Sequence, residues 1–227
     1  MILVATGLRR EARIVAGPGV RAIPGGGVTA RLEAALTAEA AKAEGIISFG
    51  LAGALAPELR AGDCVIGAAI VDADGRHPTD ASWTSVLLTQ LVGSRAGLLF
   101  GSDAMLLTRE AKAAVRVRTD ALAADMESHL AARVAARFGL PFAAVRVISD
   151  AAERDLPAAV AVGMAPDGGM AVWPVIRALV RRPGQLPALI RTAGEAERAF
   201  KALADARHLL GPRLGRADLG ELGLDVG

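Results

Sequence analysis

The chain has 227 residues, 52% of them hydrophobic, which suits one compact domain with a substantial core. A formal charge of +2 and an aromatic content of 3%, with no tyrosine, exclude a nucleic-acid binder built on a basic surface or on stacking platforms. A lone cysteine, Cys64, excludes an intrachain disulfide and a cysteine-rich metal site, and its apolar run makes it a buried small hydrophobe.

In chain order, Met1 to Ala5 reads as a first core strand. It is too short for a signal peptide, and no basic region precedes it. No apolar stretch reaches bilayer length, so a cytoplasmic protein is expected. Arg9 to Val15 is a short helical or irregular segment, and Gly17 to Val28 a loop rich in glycine and proline. Within it, Gly17-Pro18-Gly19-Val20-Arg21-Ala22 matches a dinucleotide fingerprint. Pro24 and three glycines follow, which leaves no helix N-terminus for a pyrophosphate. Arg31 to Glu44 is an alanine-rich helix stopped by Gly45. Ile46 to Phe49 is a short strand entering a glycine turn. Cys64 to Val71 is the next strand, and Asp72 to Trp83 a polar loop. Gly97 to Phe100 is a strand, Thr108 to Arg118 a helix, and Glu127 to Phe138 a helix ending at Gly139. Pro141 to Ile148 is a strand apolar on both faces. Met170 to Arg182 and Leu186 to Leu210 read as two helices, with 211–227 as a surface tail. The alternation predicts an α/β single domain over residues 1–210, a central mixed sheet flanked by helices, with a C-terminal helical pair.

Two acidic residues stand at element boundaries. Glu127 opens an apolar helix, and Asp150 ends an apolar strand. Ligands of open α/β sheets bind at the carboxyl ends of strands, where Asp150 falls. Arg146 shares a strand with Asp150 at an even offset and is placed to orient a carboxylate or to bind an anion, and a structural ion pair explains it equally. Each acid alone also suits a plain structural role, as a helix-dipole partner or a turn residue. His77, His129 and His208 lack metal-ligand spacing, and no metal or cofactor is expected.

The contexts of the two acids, Ala123-Ala124-Asp125-Met126-Glu127-Ser128 and Val145-Arg146-Val147-Ile148-Ser149-Asp150, resemble the purine nucleoside phosphorylase and nucleosidase superfamily. The resemblance covers about the first 150 residues, by co-linear order of motifs. It implies a phosphorylase/hydrolase-like fold and cleavage of an N-ribosidic bond. It implies that Glu127, with Asp125 and Met126, holds the ribose, and that Asp150, with Ser149, protonates the departing purine. Phe49-Gly50-Leu51-Ala52-Gly53 is similar to the family's glycine turn, so Ala52 and Gly53 are expected at the substrate. Ser102-Asp103-Ala104-Met105-Leu106 resembles the segment whose aromatic ring packs on the base. Met105 replaces that ring, and Met105 and Leu106 are equally read as plain core. Gly7-Leu8-Arg9-Arg10-Glu11 is similar to the nucleosidase segment whose last glutamate activates water, a role this implies for Glu11; an exposed glutamate at a helix start explains the same residue. Ser48 and Leu51 stand where phosphorylases carry a phosphate-binding arginine and a serine. That favours water, although Arg9 or Arg10, with Gly7, supplies an alternative phosphate site.

From Met170 to Arg216 nine basic and three acidic residues give a net +6. The ending, with Trp173-Pro174, Arg181-Arg182-Pro183 and Leu186-Pro187-Ala188-Leu189-Ile190-Arg191, resembles the hopanoid-associated phosphorylase branch. That implies a lipid-linked nucleoside, adenosylhopane, and contact with a membrane surface; an ordinary core-packing helix pair explains the same residues. Two other readings stay open: a methylthioadenosine or adenosylhomocysteine nucleosidase, and a silent nucleoside-binding protein. Family relatives assemble as oligomers, so a homo-oligomer is expected.

Overall fold

The structure, a computed structural model, describes residues 1–157, 184 and 186–216. Eight strands and six helices follow one another among them. The strands are β1 (Ile2–Thr6), β2 (Val20–Pro24), β3 (Gly45–Ala54), β4 (Cys64–Val71), β5 (Arg76–Pro78), β6 (Arg95–Gly101), β7 (Ala123–Asp125) and β8 (Phe142–Asp150). The helices are α1 (Arg9–Val15), α2 (Thr29–Ala40), α3 (Ala81–Gln90), α4 (Arg109–Thr119), α5 (Ser128–Phe138) and α6 (Leu186–Leu209).

One mixed sheet holds all the strands. Its order is β2-β1-β3-β7-β6-β4-β5, and β8 pairs with both β3 and β4. The pairings β3–β8, β8–β4, β4–β6, β6–β7 and β7–β3 therefore close a ring. The length of β3 makes this possible. Along one edge it pairs with β8 from Ile46 to Gly53. Along the other, its start pairs with β1 and its last two residues pair with β7. β2 and β1 thus extend the ring on one side and β5 on the other.

Side-chain alternation splits the interior in two. Leu3 and Ala5 of β1 and Ala144 and Ile148 of β8 pack with Leu32 and Leu36 of α2 and Leu130 and Val134 of α5. Ile2 and Val4, with Val145 and Val147, pack against Val15 of α1, Trp83 and Leu87 of α3, and Phe200 and Leu203 of α6. A period of two on strands covered on both sides produces this division, and it is why β8 reads as continuously apolar.

The α/β class with a helix-flanked mixed sheet is what the alternation predicts. Several boundaries differ. β2 lies inside the expected loop 17–28; Pro24 is tolerated because β2 is an edge strand. β3 runs through the expected glycine turn to Ala54. The expected polar loop 72–83 contains β5 and the start of α3, which Asp80 caps by accepting from the Trp83 N–H at 2.8 Å. β7 has only three residues, too few to show a period. α2 ends at Ala40, and Gly45 begins a strand instead of stopping a helix. The expected tail is partly core: Leu214 is fully buried, and its carbonyl accepts from the Trp83 indole N–H at 2.8 Å. Of the expected helical pair, α6 is seen; residues 170–182 and 217–227 lie outside the described residues.

Candidate active site

β1 ends at Thr6, and the chain passes Gly7 and Leu8 before α1 begins. Glu11, in the first turn of α1, reaches back over this junction. Its Oε2 accepts from the backbone N–H groups of Gly7 and Leu8, both at 2.7 Å, and its Oε1 from the Leu51 N–H at 2.8 Å. A carboxylate at a helix N-terminus suits both the orphan N–H groups and the dipole. Burial nevertheless raises the Glu11 pKa, against the lowering by Arg146 and the three N–H donors.

Arg146, on β8, has a fully buried side chain. Its Nη2 bonds Asp125 Oδ1 at 2.8 Å and Ser128 Oγ at 3.1 Å, and it also donates to Ser48 Oγ. Its Nε donates to Ser128 at 3.2 Å and its Nη1 to the Leu51 carbonyl at 3.3 Å. Asp125 Oδ1 also accepts from the N–H groups of Glu127 and Ser128 at 2.8 and 2.7 Å, which opens α5. Asp125 Oδ2 is buried without a partner among the described residues. Glu127 Oε2 lies 3.4 Å from Arg146 Nη2.

Three buried carboxyl groups, Glu11, Asp125 and Glu127, therefore face one guanidinium. Burial pushes the Glu127 pKa up to about 8; Asp125 and Glu11 add to the rise, and Arg146 opposes it. Burial, together with the surrounding negative charge, outweighs what one arginine offsets.

Asp150 ends β8, where the β3–β8 register shifts between Ala52 and Gly53 and pairs Gly53 with Asp150. The shift breaks strict alternation, so the even offset from Arg146 does not set the Asp150 direction. Its partners do. Oδ2 accepts from Lys112 Nζ at 2.6 Å, and Oδ1 from Ser149 Oγ at 2.7 Å. Ser149 Oγ also lies 3.2 Å from the Ala52 carbonyl.

The C-terminal half of β3 lines both groups of acids. A Cβ on Gly50 would stand 2.7 Å from Arg146 Nη1 and 2.9 Å from Glu11 Oε1. A Cβ on Gly53 would stand 3.1 Å from Asp150 Oδ2, and one on Gly7 2.8 Å from Glu127 Oε1. Only glycine admits such approach of backbone to side chain. Gly50 and Gly53 are three residues apart, about 10 Å of strand. Beside Glu127, Leu32, Met126 and Leu130 stand close to Gly25 and Gly27.

The structure brings together Gly7, Glu11, Asp125, Glu127 and Arg146, and sets Ala52, Gly53, Ser149 and Asp150 along the same stretch of β3. It does not bring the arginines of α1 to this centre. Arg10 is exposed, pairs with Glu197 of α6 at 2.7 Å and stacks 4.0 Å over Phe200. Arg9 lies on the exposed face of α1, beside Arg13 and Arg21. Neither faces the nest of N–H groups, which the Glu11 carboxylate already fills. Leu106 packs against the small cluster of Leu55, Val115 and Ala121, the plain-core alternative for it. Met105 is half-buried in the segment after β6. Sequence reasoning missed Lys112 and the hydroxyls of Ser48 and Ser128. Lys112 did leave a signal: it lies three residues before Val115, so a charge sits on the buried stripe of α4.

Comparison with known proteins bears on the family and the fold. The family model described as the phosphorylase superfamily matches residues 6–167. The native futalosine hydrolase of Helicobacter pylori superposes with a TM-score of 0.67 at 16% identity, covering 92% of this chain and 96% of that one. A 5′-methylthioadenosine/S-adenosylhomocysteine nucleosidase from Colwellia psychrerythraea, in complex with adenine, gives 0.66 at 14%, covering 94% and 93%. The corresponding enzyme from Neisseria meningitidis, in complex with methylthio-immucillin-A, gives 0.65 at 16%, covering 94% and 97%. At these identities the likeness is one of fold.

Proposed function

This chain belongs to the phosphorylase superfamily, and from that premise we propose that it hydrolyses the N-glycosidic bond of a purine nucleoside with an apolar 5′ group, releasing adenine. One observation carries the choice of water. The Glu11 carboxylate fills the nest of Gly7, Leu8 and Leu51 N–H groups, a ready anion site. A phosphate would meet that carboxylate instead of free donors. The Arg146 guanidinium, spread over Asp125, Ser48, Ser128 and the Leu51 carbonyl, is committed as well.

In this reading Glu11 accepts the proton of a water attacking C1′. Asp150 delivers a proton to N7 of the purine, so the C1′–N9 bond breaks with its electron pair leaving on a neutral base. Glu127 receives the ribose hydroxyls, and positive charge developing on the sugar favours its ionised form. Adenosylhopane is the proposed substrate. The resemblance of the C-terminal segment to the hopanoid-associated branch supports it. The solved relatives, an adenine complex among them, support a purine nucleoside more generally.

The test is adenine release from adenosylhopane, with methylthioadenosine and adenosylhomocysteine in parallel, each with and without phosphate. Release without phosphate, giving the free sugar and abolished in Asp150→Asn, is expected. Release only with phosphate overturns hydrolysis, faster release from the soluble substrates overturns the lipid, and release from none overturns the whole reading.

A further inference from the structure

Lys112 is the most deeply buried cation beside the site after Arg146, with 1% exposure. It reaches from α4 to the end of β8. All three of its N–H donors are used: Asp150 Oδ2 at 2.6 Å, and the carbonyls of Ala151 and Arg154, each at 3.0 Å. Burying an ammonium costs several kcal/mol unless it is paired and fully bonded, and here it is both. Asp150 Oδ2 is thereby fixed, while among the described residues Oδ1 holds only the Ser149 hydroxyl and keeps a lone-pair direction free.

We propose that Lys112 is a positioning residue for departure of the base: it anchors Asp150 Oδ2, leaves Oδ1 as the proton donor to the purine, and stabilises the carboxylate left behind. The proposal rests on the hydrolytic reading above. In the step, the Asp150 Oδ1–H bond breaks and N7–H forms. The C1′–N9 electron pair passes to the purine. Lys112 keeps its own protons throughout; its charge opposes the negative charge that appears on Asp150. Lys112 therefore matters only when the leaving group needs a proton.

That condition defines the experiment. Lys112→Gln retains an amide donor for Asp150 or one of the carbonyls but removes the charge. Adenine release from adenosylhopane and 4-nitrophenol release from 4-nitrophenyl riboside, whose phenolate leaves unprotonated, are measured for wild type and variant. The expected result is a kcat for adenine release lowered about 10²-fold, the scale of general acid catalysis, with KM and 4-nitrophenol release unchanged. Equal loss on both substrates, or no loss on either, overturns the proposal. Adenine release by the wild-type enzyme reports on the hydrolytic reading separately, because its absence removes that reading whatever the variant does. Should Lys112→Gln not fold, the double variant Lys112→Met/Asp150→Asn removes both charges together. It is expected to match Asp150→Asn alone in adenine release, and a further loss would show that Lys112 does not act through Asp150.

Discussion

Glu127→Gln is the perturbation that reads the crowded carboxyl cluster most directly. Raising a carboxyl pKa from an ordinary 4.5 to about 8 stores about 5 kcal/mol, at about 1.4 kcal/mol for each pH unit. Between those values the native protein keeps a proton that the unfolded chain has released. Raising the pH therefore favours unfolding, and the native state loses about 1.4 kcal/mol for each pH unit climbed through that window. The variant carries no titrating group at 127, and its neighbour Glu11 loses one source of repulsion. Urea unfolding of both proteins at pH 5, 6, 7 and 8 is the assay. From pH 5 to 8 the stability of the variant relative to the wild type is expected to rise by about 4 kcal/mol, a large share of a typical domain stability of about 5–15 kcal/mol. A difference that stays flat across the series refutes the argument that Asp125, Glu11 and burial outweigh Arg146 at this position.

Gly50→Ala places a methyl group 2.7 Å from Arg146 Nη1 and 2.9 Å from Glu11 Oε1, so adenine release is expected to fall steeply, while the same change at the exposed Gly184 leaves it unaltered. Arg146→Met strands Asp125 and Glu127 without their cation. A loss of about 3–5 kcal/mol in urea unfolding is expected. Trp83→Phe removes the donor to the Leu214 carbonyl; a cost of about 1–3 kcal/mol in stability and faster proteolysis after residue 210 are the expected readouts.

Much of the frame was legible in the sequence because burial imposes periodicity. β4 and α1 fall at the expected residues, and Gly139 closes α5 where expected. Elements without a period escaped. β7 is three residues long, β2 is an edge strand disguised by proline and glycine, and α3 begins in a polar run with only Trp83 and Leu87 buried. The site was legible to the same degree. Glu127 and Asp150 stood out because an acid at the edge of an apolar run needs a reason. The sequence could not show that Arg10 is engaged by Glu197, because that partner on α6 lies 187 residues away. The partnership of Lys112 with Asp150, 38 residues apart, has no local signature beyond a lysine on an apolar stripe.

The sequence by itself determined an α/β domain, the strands apolar on both faces, and the acids at their ends, since these follow from side-chain period and short-range backbone preference. Only the tertiary structure decided which charges meet: that one arginine serves three carboxyl groups, that Glu11 fills the nest of N–H groups, and that a lysine secures Asp150. Ring closure through β3 and β8 sets those distances, and in a low-dielectric interior a few ångströms decide whether a carboxyl group is ionised, protonated or paired.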